Sequence, residues 1–560
     1  MLRRSLTRIG LLSFLGAVAC SDGAGPKLPP CTAAGSNVTL PVVGAYLSFD
    51  PTGTAAGCLV FPAAGAADSA EFLLVPQLAT GVPGRTSSFR LAGDTIRPAP
   101  VAPAFSAASL ADLPPAEQFH RFLRLGDQER WRGLNPQVDM KAASPARSPA
   151  APAGPPVFGS QRTFKVCATL TCSRFDNVTA TVRALKSNVA IYVDNTAPVG
   201  LDSAALDTLA TLFETRLYPT DTAAFGRESD IDTNSVVMVL MTPTVNKLVT
   251  SSACATSGFV AGFFFGADID PAFQNDSRSN KGEMFYSIVA DPAGTLSCAH
   301  STTSVQRIVP VTFIHEFQHM ISFNQHVLLR GGSGEVLWLN EGFSHYAEEL
   351  GGRTYAPGTP EFSRFTIGDL YNAYQFLDST GKHFLLPTAG IGSLAERGAA
   401  WLFVRYLVDQ YAADTTVASW NVFTRQMLAT SDVGAANIAN RTGDTFTGVV
   451  TRWAMANWVS DLPGFVAPNQ LKYRSWAFRT TYASLNAQDA STFPKAFPLT
   501  PISSAGRAVN LSGTLRAGSG VYARALQAPS APGFTLLFST SAGGPLDPTL
   551  VPRLNVIRIR

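Results

Sequence analysis

The stretch Val311-Thr-Phe-Ile-His-Glu-Phe-Gln-His-Met-Ile-Ser-Phe-Asn324 constrains the fold more than any other part of the chain. Its apolar members and their upstream neighbours (Ile308, Val309, Val311, Phe313, Ile314, Phe317, Met320, Ile321 and Phe323) surround the helix axis, so as a helix it must be buried. Within it stand His315, Glu316 and His319. Buried polar groups without partners are costly, so the fold has to give these three something to hold. Positions i and i+4 share one helix face, which lets both imidazoles reach a single metal ion, as zinc chemistry requires. Glu316 then lies beside the ion, where a carboxylate can take a proton from water and hand it to a leaving amine.

A second segment, Trp338-Leu-Asn-Glu-Gly-Phe-Ser-His-Tyr-Ala-Glu-Glu-Leu350, has helical period, and the Gly351-Gly352 pair after it reads as a stop. Its first acid, Glu341, completes a His/His/Glu set and leaves a fourth tetrahedral position open. His345 follows one turn later and Glu348 roughly one turn further; both are candidates for orienting a ligand, whereas Glu349 points away. The rival reading is a chance match on a hydrogen-bonded structural helix, and the second segment weighs against it.

Together the two segments resemble the active site of gluzincin metallopeptidases. Asn340-Glu341-Gly342 followed by Tyr346 and Glu348 is similar to the second zinc helix of the gluzincin aminopeptidases, as is Asn324 beyond His319. Two departures stand out. The 21 residues between His319 and Glu341 are more than those enzymes use, and their amine-holding Gly-x-Met-Glu-Asn segment is absent. With the later Ala399-Ala-Trp-Leu-Phe-Val-Arg-Tyr-Leu407 helix, the context looks more like the hyicolysin family of secreted bacterial metalloendopeptidases, over residues 230–460.

That resemblance implies one catalytic zinc on His315, His319 and Glu341, Glu316 as general base and later acid, and a protein or peptide substrate. It implies a zincin-like α+β metallopeptidase core, a small sheet lobe plus a helical lobe; short apolar bursts split by Gly and Pro add all-β modules at both ends, so the expected fold is multi-domain. Amide hydrolysis also needs an electrophile for the oxyanion. The aminopeptidases place a Tyr just before a Glu-Lys-Gly; the matching Leu394-Ala-Glu-Arg-Gly398 has Ala395 there, which leaves Tyr371, Tyr374, His383 and Tyr406 as candidates. A metzincin is excluded, because Ser322 and Gln325 occupy the positions where that motif needs Gly and His, whatever His326 suggests. A zinc aminopeptidase and a non-enzymatic surface-binding lipoprotein are the two rival functions.

The remaining chain divides by composition. Residues 1–19 read as a signal peptide, with Arg3, Arg4 and Arg8 before an apolar run from Ile9 to Ala19 that is too short to span a bilayer. Ala17-Val-Ala-Cys20 resembles a lipobox, so a lipid on Cys20 is the expected and only link to a membrane. An exported chain, in the cell envelope or outside it, permits disulfides, and pairing sequence neighbours gives Cys31–Cys58, Cys167–Cys172 and Cys254–Cys298. The net charge of +3 is too small to point to nucleic acid. Residues 20–36 read as a tether, 37–108 as an N-terminal β module, and 109–156 as a helix with an Ala/Pro linker, a processing site in the making. In that helix Phe119, Phe122 and Leu123 share a face and His120 is expected to be solvated or capping. Residues 157–200 read as a β hairpin region, 201–462 as the metallopeptidase domain and 463–560 as a C-terminal β-sandwich. Glu283–Val289 is the expected substrate-pairing edge strand. Asp268, Asp270 and Asp276 form an acidic stretch that is either solvated or a Ca²⁺ site.

Overall fold

The computed structural model describes residues 28, 31, 35–96, 113–131, 154–388, 390 and 392–560. The expected signal peptide, Cys20, most of the tether and most of the Ala/Pro linker lie outside the described residues.

Strands β1 (Ser36–Asn37), β2 (Tyr46–Phe49), β3 (Cys58–Phe61), β4 (Ala70–Leu78) and β5 (Thr86–Gly93) precede helix α1 (Pro115–Glu129). Then come β6 (Gln161–Cys167), β7 (Phe175–Leu185), β8 (Val189–Asp194), α2 (Ser203–Leu212) and α3 (Tyr218–Phe225). They lead to β9 (Val237–Met241), α4 (Pro243–Asn246), α5 (Ser251–Ser257), β10 (Gly262–Phe264) and β11 (Met284–Ser287). The helical lobe holds α6 (Thr302–Phe323), α7 (Leu337–Arg353), α8 (Pro360–Asp378) and α9 (Leu394–Tyr411). It continues through α10 (Val417–Leu428), α11 (Gly434–Thr442), α12 (Phe446–Val459) and α13 (Phe478–Gln488). The chain closes with β12 (Ile502–Ala505), β13 (Asn510–Arg516), β14 (Ala523–Gln527), β15 (Phe534–Ser539) and β16 (Pro552–Arg558). The architecture is multi-domain and mixes sheets with helices.

The two ends do not form the two separate β modules expected from composition. They interleave in one sandwich, with β1-β3-β15-β5-β13 in one sheet and β12-β14-β4-β16-β2 in the other. The reason is visible at β4, which is buried at all nine positions and has only the C-terminal β14 and β16 as neighbours. A module made of residues 37–108 alone would leave both edges of its most apolar strand unpaired. The interval between α12 and β12 also departs from a sandwich: it carries α13, whose Tyr482 hydroxyl donates to Leu370 O of α8 at 3.0 Å.

A third sheet, β10-β11-β9-β8-β7-β6, stands beside the helical lobe. It absorbs residues 157–200, since β8 pairs in parallel with β9, so these strands are part of the core and not a separate hairpin. It also corrects the expected edge. β11, inside Glu283–Val289, is an inner strand between β10 and β9 and is buried at every position, as two-sided burial of such an apolar run demands. The edge is β10, antiparallel to β11.

The three cysteine pairs bond as neighbours, Cys31–Cys58, Cys167–Cys172 and Cys254–Cys298. Helix α6 starts at Ser301, whose hydroxyl accepts from Ser304 N at 3.1 Å, and it ends in one π-helical turn, Asn324–Leu328. There Asn324 Nδ2 and Gln325 Nε2 each donate to Arg227 O at 2.8 Å and fix the C-terminal end. Helix α7 is buried from Leu337 through Gly352. Gly351 and Gly352 do not stop it; they lie inside the helix as contact points. A Cβ on Gly351 would come within 3.0 Å of Ile314 Cδ1 on α6, and one on Gly352 within 2.9 Å of Thr366 Cγ2 on α8. The pair thus holds α7 close to the histidine helix and to α8.

Candidate metal centre

Helix α6 presents His315 and His319 one turn apart, and α7 presents Glu341 opposite them. The two Nε2 atoms are 3.2 Å apart. The Glu341 carboxylate stands 3.5 Å from His319 Nε2 and 3.7 Å from His315 Nε2. Tetrahedral zinc with ligands at about 2.0–2.1 Å spaces them about 3.3–3.4 Å from one another. The triangle therefore has the dimensions of three zinc ligands, with all three side chains buried.

Hydrogen bonding around the triangle explains its direction. His315 Nδ1 lies 2.7 Å from Glu348 Oε1, and a carboxylate only accepts, so Nδ1 carries the proton and Nε2 offers a lone pair. His319 Nδ1 is 3.0 Å from Asn340 Oδ1 and 3.0 Å from Ser344 Oγ, which itself donates to Gln318 Oε1 at 2.5 Å. Both Nε2 lone pairs thus face each other and a carboxylate, a repulsive arrangement without a cation between them. Glu341 Oε1 is buried with no hydrogen-bond partner. Such an orphaned acceptor, beside two inward lone pairs, fits a divalent ion. Burial pushes His319 down to about 3, with Arg124 adding to the effect, so its ring is neutral and free to ligate.

Behind His315 lies a second set of charges. His345 Nδ1 is 3.0 Å from Glu348 Oε1 and 2.9 Å from Asp369 Oδ1 of α8. Burial lowers the His345 pKa, but Glu348 and Asp369 overcome it and raise the imidazole to about 10. His345 is accordingly an imidazolium that anchors Glu348, and Glu348 anchors His315. Glu349 turns the other way: Arg353 and Arg405 pair with it at 2.6 and 3.3 Å, and the indoles of Trp401 and Trp476 donate to it at 3.0 and 2.8 Å.

Glu316 is buried beside the triangle, and its Oε2 accepts from Phe264 N of the edge strand at 2.8 Å. Burial raises its pKa, with His315 and Arg124 opposing. The four oxyanion candidates are engaged elsewhere. Tyr371 is exposed against Phe493, and Tyr374 exchanges hydrogen bonds with the Lys495 backbone. Tyr406 donates to Gln470 O at 2.7 Å, and His383 meets Ser379 at 3.2 Å. The acidic stretch is not one site either. Asp268 accepts from Asn280 N and the Tyr286 hydroxyl, Asp270 is forked by Arg130, and Asp276 pairs with Arg278. Each carboxylate has its own protein partner, which removes the reason to expect Ca²⁺ there.

Sequence reasoning missed three participants. Asn340 and Asp369 had no motif of their own, although Asn340 sits in the quoted Asn-Glu-Gly. The third is α1. Its His120, expected to be solvated or capping, is instead held well below its ordinary pKa by burial, with the charge of Glu341 opposing.

No family model matches the chain. Over 139 residues, 25% of its length, it is 27% identical to the neutral metalloprotease ShpI of Staphylococcus hyicus. The chain spans 29% of that relative, so the likeness is to a stretch of a metalloprotease and extends no further.

Proposed function

We propose that the chain is an exported zinc-dependent metalloendopeptidase of the gluzincin type, resembling the hyicolysin family. The observation that carries this reading is the triangle of His315, His319 and Glu341, with converging lone pairs and an orphaned buried carboxylate oxygen. The order of a small sheet, then α6, then α7 to α9 supports a zincin-like core, and the metalloprotease relative supports a peptidase. Export is read from the N-terminal segment and agrees with three disulfides.

A divalent ion held there supplies Lewis-acid polarisation of a carbonyl and acidifies water. The chain's own residues do the rest. Glu348 and Asn340 accept from the two Nδ1–H groups and aim Nε2 inward. Glu316, its Oε2 anchored by Phe264 N–H, uses its raised pKa to take a proton from water and deliver it to the departing nitrogen. The edge of β10 is where an extended peptide would pair once its backbone groups are free.

The test is zinc content together with cleavage. Wild type should carry one zinc per chain and cut N-blocked peptides as well as free ones; His319→Ala should lose both metal and cleavage. Protein that is purified folded but binds no zinc on titration sinks the proposal. Cleavage confined to peptides with a free amine would turn it into an aminopeptidase.

A further inference from the structure

The edge of β10 is covered, and its cover is α1. Side chains of α1 hold the end of the strand: Arg124 Nη2 donates to Phe264 O at 2.7 Å, while Phe264 N–H is held by Glu316, and just beyond β10 Asp127 Oδ1 accepts from Gly266 N at 3.1 Å. Phe119 packs edge-on against Phe263 with ring centroids 4.9 Å apart, and Trp131 meets Phe265 at 4.6 Å. Arg130 forks onto Asp270 at 2.7 and 3.0 Å. On the far side Glu117 faces Arg397, at the start of α9, across 3.8 Å. The helix therefore bridges the edge strand and α9. The charge of Arg124 is felt by Glu316 and His319, and that of Glu341 by His120, so this seat lies within electrostatic reach of the candidate metal centre.

This contact is tight but unfinished. Arg124 is 1% exposed, yet its Nε is buried with no hydrogen-bond partner. Arg130 and Trp131 both adopt left-handed backbone, at φ 52 and 53, which non-glycine residues avoid unless the surroundings impose it. In sequence, α1 is followed by the Ala/Pro/Ser-rich stretch 141–156, and on its other side it is joined to the sandwich through β5.

We propose that α1 is a built-in, displaceable inhibitor that occupies the peptide-binding groove between β10 and α9, and that it must leave before an extended peptide can pair with β10. What the helix blocks rests on the metallopeptidase reading; its seat on β10 does not. Because α1 belongs to the same chain as β10, its local concentration there is high, and substrate has to compete with it.

The experiment uses the full chain with Arg124→Ala, Leu123→Asp and, as the conservative control, Arg124→Lys. Two readouts run in parallel: backbone hydrogen exchange at residues 262–266 of the metal-free protein, and cleavage of a quenched peptide with zinc bound. Arg124→Ala and Leu123→Asp should speed exchange at 262–266 and raise kcat/KM about tenfold or more, as expected when a minor open state becomes dominant. Arg124→Lys should stay near wild type. A synthetic peptide copying residues 113–131 should bind Leu123→Asp by fluorescence anisotropy and reverse both effects. Exchange at 262–266 that stays slow in both folded variants, or a peptide that neither binds nor protects, overturns the proposal. If exchange and peptide binding respond while no zinc-loaded form cleaves anything, α1 keeps its seat and the peptidase reading falls instead.

Discussion

The β-sandwich and the lobe around α6 and α7 bury their side chains on different terms. The sandwich interior is apolar: Phe61, Phe72, Leu74, Phe89, Leu536, Phe538, Leu554 and Val556 form one cluster, with Phe61 stacked on Phe534 at 4.3 Å. The lobe instead buries His315, Glu316, His319, Glu341, His345, Glu348, Glu349, Asp369 and Arg405. Burial of charge alone does not mark function, as two glutamates two turns apart on α7 make plain. Glu349 is surrounded by Arg353, Arg405, Trp401 and Trp476 and is saturated. Glu341 keeps an oxygen with no hydrogen-bond donor among the described residues. Saturated polar burial holds the lobe together, and unsaturated polar burial is where chemistry can enter.

Glu316→Gln puts that distinction to its hardest use. Loss of a general base should lower kcat/KM by about 10²–10⁴-fold with zinc retained, since Glu316 is not a ligand. The thermal midpoint should hold or rise, because a buried carboxylate with a raised pKa is being removed. A large fall in midpoint would place Glu316 with Glu349 among structural groups. Glu349→Ala should do the reverse. It strips Arg405 of one of its two carboxylates, leaving Asp409 at 2.8 Å, and takes the acceptor from the Trp401 indole, so it should destabilise the fold by about 3 kcal/mol, while the folded fraction binds zinc as before. In the sandwich, Leu554→Ala should cost about 2–5 kcal/mol through the cavity it opens, again with zinc affinity untouched. Equilibrium denaturation with zinc titration on each variant checks both.

Glu348→Gln tests the layer between the two kinds of burial. It removes the charge that accepts from His315 Nδ1 and pairs with His345. Zinc affinity should fall about 10- to 100-fold, the usual effect of losing a group that orients a ligand. An unchanged affinity would mean that α6 alone orients the ring.

How far the sequence could be read follows from how local each relation is. His315 and His319 share a face by helix geometry alone, and Glu341 and Glu348 follow from the period of α7, so the centre was legible. The disulfides were legible because each pair is also a pair of sequence neighbours. The sandwich was not: Leu59 pairs with Leu536 and Leu74 with Ala523, partners that no window of periodicity contains. The edge strand was misassigned for a related reason, since β10 and β11 are both short apolar runs and only their neighbours tell inner from outer. Gly351 and Gly352 read as a stop because a glycine pair ends many helices. Here the close approach of Ile314 and Phe365 gives them a different use. The seat of α1 depends on contacts such as Arg124 to Phe264, which again no local pattern encodes.

Asp221 in α3, a carboxyl with no place in the proposed chemistry, tests the same distinction through pH. It is fully buried and neither oxygen has a hydrogen-bond partner; burial alone lifts its pKa well above the ordinary value. An unfolded aspartate titrates near about 3.9, so the native state holds a proton that the unfolded chain has already lost. Stability contributed by that protonated form is present below the unfolded value and declines as pH rises above it, until the native carboxyl itself ionises. Asn cannot titrate. Asp221→Asn should therefore match wild type at pH 4 and gain on it above that, by up to about 1.4 kcal/mol per pH unit until the native carboxyl ionises. Thermal midpoints of the two proteins across that range provide the check. Parallel curves would show that Asp221 is ionised inside the lobe, and the rule drawn from Glu341, that a bare buried carboxylate awaits a cation, would then extend to this helix as well.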